Sequence, residues 1–174
     1  TVLRYRNTWL LSFVGCGFTG PVLTFTGLWG VPFLTTLYGM GTAAGSAITS
    51  TLLICYAAAG TLLGALSDRI GMRKPVMFVG SVVALLCWIP ILLVPQLPVW
   101  LLVSLIILVG LGSGSVIVGF AFVKESLPPQ LAGTVTGVYN MGSILGPMIL
   151  QPAIGWMLDL SWRGTLSGGV RIYD

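Results

Sequence analysis

Histidine is absent from this chain, and charge is scarce: Lys and Arg number 8 and Asp and Glu 4 among 174 residues, 7% in all. A soluble globular domain carries about 25% charged residues, because polar groups must cover its outside. The length would suit one domain, but so little charge could not wet such a surface on every side. Cys16, Cys55 and Cys87 stand alone in apolar stretches with no CxxC spacing. A zinc site or disulfide framework therefore has no support, and each free thiol reads as a small hydrophobe. Ser/His pairs and paired carboxylates are missing as well. No catalytic constellation is assembled, so the chain is not read as an enzyme, and no cofactor or metal is implied. The net charge of +4 forms no patch large enough for nucleic acid.

What is present is apolar and small. Hydrophobic residues make up 56% of the chain and glycine 24 positions, roughly twice the average glycine share. That combination suits helices packed in a lipid bilayer, where small residues let backbones approach. The uncharged stretches run over residues 7–67, 75–123 and 126–158. A membrane helix needs about 20 apolar residues, so the first two stretches each hold two spans and a turn, and the third holds one. The expected fold is an all-α, polytopic transmembrane bundle with spans over 9–37, 46–66, 76–94, 98–122 and 133–158. Residues 159–174 would then form an outer-side loop. The small-residue run Gly39–Gly45 separates the first two spans, and Pro95-Gln96-Leu97-Pro98 separates the third and fourth, since proline lacks an amide donor. Arg4 and Arg6 precede an apolar run far longer than the 7–15 residues of a signal peptide.

Orientation follows from the basic residues. Arg4, Arg6, Arg69, Arg73, Lys74 and Lys124 fall on one side of this topology, and Arg163 and Arg171 on the other. Basic loops stay in the cytoplasm, which puts the N-terminus on the cytoplasmic side of an inner membrane. Trp9, Trp100, Trp156 and Trp162 fall near span ends, where an amphipathic ring suits the headgroup region.

The most specific stretch is Gly64-Ala65-Leu66-Ser67-Asp68-Arg69-Ile70-Gly71-Met72-Arg73-Lys74. Gly64 would let the end of the second span approach a neighbour. Asp68 would meet the positive end of another helix. Arg69, Arg73 and Lys74 can pair with carboxylates across a cytoplasmic gate, and Gly71 allows a reversal at positive φ. A basic inner loop is ordinary in membrane proteins, but both glycines around Asp-Arg are not. This stretch resembles the signature loop of the major facilitator superfamily, with Met72 where a basic residue is usual. Lys124-Glu125-Ser126-Leu127-Pro128-Pro129, then Ala132-Gly133-Thr134-Val135-Thr136-Gly137, is similar to the family's inner loop between helices ten and eleven. Gly142-Ser143-Ile144-Leu145-Gly146-Pro147 and Gln151-Pro152 resemble its Gly-Pro helix. The Arg that commonly opens helix four is absent. The resemblance implies helices seven to eleven of a twelve-helix permease, the C-terminal half. The missing N-terminal half would be its partner and a sixth span would follow Asp174. Gly27-Leu28-Trp29-Gly30-Val31-Pro32 looks most like bacterial nutrient permeases.

Glycines four apart, Gly60/Gly64, Gly133/Gly137 and Gly142/Gly146, lie on one helix face and mark close helix contacts first, moving surfaces second. Gly20-Pro21 and Gly30-Val31-Pro32 break the first span, as Pro147 and Pro152 break the fifth. Such breaks either line a substrate cavity or merely kink a helix for packing. The candidates for binding a small-molecule substrate are Thr24, Trp29, Tyr56 and Asn140, with Thr26, Tyr139 and Gln151 beside them. Asn140 leads, because an amide in hydrocarbon needs a partner, though another helix could supply it. No titratable acid, base or histidine is expected deep in a span, so a coupling proton or a substrate counter-ion would be held elsewhere. The expected activity is secondary transport by alternating access. A non-transporting sensor or assembly subunit with the same core is the alternative.

Overall fold

Hydrocarbon offers the backbone no hydrogen-bond partner but itself, and long apolar runs answer by becoming helices. The computed structural model describes residues 2–162, 166–167 and 170–171. Five helices in it are long and apolar enough to cross a membrane. The first span is α1 (Arg6–Thr24), a π-helical turn (Phe25–Trp29) and α2 (Gly30–Tyr38) run together. The second is α3 (Thr42–Ile70) and the third α4 (Arg73–Leu93). The fourth is α5 (Val99–Ser113) and α6 (Val116–Glu125), broken at Gly114 and Ser115, and the fifth is α7 (Ala132–Ser161). Leu166–Ser167 (β1) and Val170–Arg171 (β2) pair antiparallel beyond it. Arg163 and Asp174 lie outside the described residues.

Several helices run past the apolar patterning by about a turn, because a cap, and not the last apolar residue, stops them. Gly39 and Gly71 hold φ of 61° and 68° and end α2 and α3 in the left-handed conformation, which costs glycine nothing. The linker expected over Gly39–Gly45 shrinks to Gly39–Gly41, since α3 already begins at Thr42.

The long contacts are α1 on α7, α3 on α5, and α4 on α5. Each is built where glycine removes a side chain. A Cβ on Gly146 would come within 2.7 Å of the Gly20 Cα, and one on Gly114 within 2.6 Å of both the Ala59 Cβ and the Tyr56 carbonyl. A Cβ on Gly112 would stand 2.7 Å from the Gly80 carbonyl. The expected stripe at Gly142 and Gly146 is therefore a real helix crossing. Gly64, Gly133 and Gly137 depart from that expectation, because a Cβ on any of them would meet nothing within 4 Å. Their faces of α3 and α7 are open at the basic end of the bundle.

Two buried clusters fill the bundle. One, toward the basic end, gathers Leu11, Phe18, Met77, Val123, Val135 and Tyr139. The other, toward the opposite end, gathers Val22, Phe25, Leu34, Leu52, Ile91 and Ile106. Large apolar side chains such as Phe13, Phe78, Leu93 and Met148 are exposed around the outside, as a lipid-facing surface requires.

Candidate functional site

Two places in the bundle concentrate polar groups. The first is the basic end, where α3, α4 and α6 terminate. Gly71 turns the chain back on itself, which sets Arg73, the first residue of α4, beside the last turn of α3. The Arg73 guanidinium then forks. Its Nη2 and Nε donate to the Glu125 carboxylate at 2.6 and 3.0 Å, while Nη1 donates to Asp68 Oδ1 at 2.5 Å and to Ser67 Oγ at 3.1 Å. Ser67 Oγ in turn donates to the Met72 carbonyl at 3.2 Å. One side chain thus ties the ends of α3 and α6 together from α4. Only a planar fork of donors can serve two carboxylates in this way; a lysine at this position could not.

Arg73 is 17% exposed, but Asp68 and Glu125 are 68% and 53% exposed. Ion pairs this open contribute about 0–1 kcal/mol, so the clamp is suited to being undone and remade. Asp68 finds its countercharge in the Arg73 side chain, whereas the sequence suggests a helix end. Lys74 lies with its Nζ 5.9 Å from the Phe122 ring centroid. Arg69 is exposed and makes no ion pair among the described residues. Gly64 lies outside the clamp, on the open face of α3. Glu125 is the clamp member that sequence reasoning passes over. The available signal was a carboxylate confined, with Lys124, to the same end as Arg73.

The second place is the π turn against the proline-broken part of α7. The Gly30 amide reaches back to the Phe25 carbonyl, five residues away, and Thr26 Oγ1 donates to the Val22 carbonyl at 2.8 Å. Trp29 Nε1 donates to the Gln151 carbonyl at 3.3 Å, and Gln151 Nε2 to the Leu23 carbonyl at 3.4 Å. Both bonds are long. Thr24 is 2% exposed and its hydroxyl has no partner among the described residues, a costly state for a buried polar group. Glycines border the two polar side chains, Gly155 at the Trp29 ring and Gly27 at the Gln151 amide.

Thr24 and Trp29 therefore share a level with Gln151. The Tyr56 hydroxyl meets Thr19 Oγ1 at 3.4 Å. Asn140 is exposed on the open face of α7 with Gly133 and Gly137 and bonds to no described residue. At 1.5 Å per residue the three levels stand roughly 30, 20 and 12 Å above the basic end, so the four candidates are spread along the bundle. Tyr139 is structural: fully buried, it donates to the Val116 carbonyl at 2.9 Å and packs its ring edge-on against Phe120. No group of three His, Cys, Asp or Glu able to hold a metal occurs among the described residues.

Residues 10–168 match the family profile described as Major Facilitator Superfamily. The probable nitrate/nitrite transporter NarK2 of Mycobacterium tuberculosis, in both the CDC 1551 / Oshkosh and H37Rv strains, is 30% identical over 155 residues, 84% of this chain and 38% of that protein. The inner membrane transport protein YnfM of Escherichia coli K12 is 32% identical over 158 residues, 86% of this chain and 37% of that protein. The chain thus spans well under half the length of these relatives. No solved structure gave a match.

Proposed function

This chain belongs to the major facilitator superfamily, and from that membership we propose that the intact protein is a permease moving a small solute across the cytoplasmic membrane by alternating access. The five spans form part of its C-terminal half, with the basic end in the cytoplasm, and they rock against an N-terminal half of the same transporter about a site between them. The observation that carries this reading is the Arg73 clamp, which joins the ends of three helices through exposed ion pairs weak enough to open in each cycle. Asp68 and Arg73, set by the Gly71 turn, form the clamp with Glu125, and Gly64, Arg69 and Lys74 complete the gating loop around it.

Thr24, Trp29, Tyr56 and Asn140 are the solute-contacting residues in this reading. Thr24 is supported by its unpartnered hydroxyl, and Asn140 by its position on the open face of α7. The π turn and the part of α7 against it lie within the uncharged stretches 7–67 and 126–158, and in a symport cycle the coupling ion or the counter-ion of a charged solute is held by the other half. Both curated relatives are described as transporters, one of them of nitrate and nitrite, which supports transport as the activity. Uptake by vesicles containing the full-length Asp68→Asn protein tests the gate. The expected result is a large fall in rate at normal expression, and unchanged uptake would remove Asp68 from the mechanism.

A further inference from the structure

Among the described residues three side chains receive the Arg73 guanidinium, and they differ in their access to water. Asp68 and Glu125 are more than half exposed, whereas Ser67 is fully buried. Ser67 lies in the last turn of α3, where its carbonyl accepts the Gly71 amide at 3.0 Å and closes the helix. Its hydroxyl stands between a carbonyl and a cation. The Met72 carbonyl can only accept and the guanidinium can only donate. The single hydroxyl proton therefore goes to Met72 at 3.2 Å, and the oxygen lone pairs are left to Arg73 Nη1 at 3.1 Å. Met72 is the N-cap of α4 and Arg73 its first residue, so one buried side chain fastens both to the end of α3.

Burial also ranks the bonds of the clamp. Water can replace Arg73 as the partner of either carboxylate, because both stand in it. Ser67 has no such substitute, and its lone pairs would be left buried and unmatched if Arg73 departed. A hydrogen bond to a charged group held out of water outlasts an ion pair open to it. When the clamp opens, the carboxylate bonds break first and the Ser67 bond stays.

We propose that Ser67 is a positioning residue of the gate, which keeps the Arg73 fork in place while Asp68 and Glu125 are released. The clamp then recloses on a donor that is already aimed. This role rests on the reading of the clamp as a gate.

The test uses the full-length protein with cysteine replacing Gly137, on the open face of α7 where a side chain meets nothing. In inside-out vesicles the labelling rate with an impermeant maleimide reads how often the cytoplasmic side is open. The protein without this cysteine supplies the background from Cys16, Cys55 and Cys87. Solute transport is followed in parallel. Ser67→Ala, close to serine in volume, is expected to raise labelling and lower the maximal transport rate. Each change is expected to be about fivefold, the scale of one hydrogen bond. With Arg73→Ala the labelling rate is already raised, and adding Ser67→Ala is expected to change it less than about twofold. Equal increments in the two backgrounds would mean that Ser67 acts only through Met72, and would overturn the proposal. If Asp68→Asn slows transport while Ser67→Ala alters neither readout, this inference falls alone. If neither substitution alters either readout, the clamp is no gate and the wider reading falls with it.

Discussion

Tyr139 and Asn140 are neighbours in sequence and opposites in role. Adjacent helical residues point about 100° apart, and here that rotation puts Tyr139 fully inside, bonded to Val116, and Asn140 outside on the open face of α7. Tyr139→Phe removes one buried hydrogen bond, so it is expected to lower stability by about 1 kcal/mol and leave the KM for solute unchanged. Asn140→Ala is expected to do the reverse, with stability within ~0.5 kcal/mol and a raised KM. Thermal melts in detergent and an uptake assay on the two proteins separate the cases. The sequence puts both residues in one polar cluster because composition does not say which way a helix is rotated. It also leaves the Arg73–Glu125 pair unseen, since residues 52 apart meet only once the helices have packed.

Glycine spacing raises the same difficulty along whole helices. Gly133/Gly137 and Gly142/Gly146 are indistinguishable by pattern, yet a Cβ would meet nothing at the first pair and backbone at the second. Gly146→Ala is expected to destabilise the α1–α7 crossing by about 1–3 kcal/mol, the usual result of overpacking. Gly137→Ala is expected to leave the bundle's stability unchanged or slightly raised, since alanine is the better helix former; melting temperatures of the two proteins decide it. Element number was legible because charge is excluded from hydrocarbon, and the uncharged stretches can hold only five spans. The π turn was not. The buried stripe of the first span runs Leu11, Gly15, Phe18, Val22, Phe25 and resumes at Gly30 and Leu34. A five-residue step replaces the usual three or four, and no propensity marks it.

For the molecule as a whole, the basic residues predict an orientation that labelling can check. Cysteine replacing Gly41 is expected to react with an impermeant maleimide from outside intact cells, and cysteine replacing Met72 only after the cytoplasmic face is opened. The reverse pattern would invert the bundle. The two buried clusters have a further consequence. Each is packed within its own end of the bundle, and Tyr56 borders both, near the depth where Gly114 ends α5. The bundle is therefore packed as two storeys, with the Tyr56 ring set between them as the side chain that both interiors share.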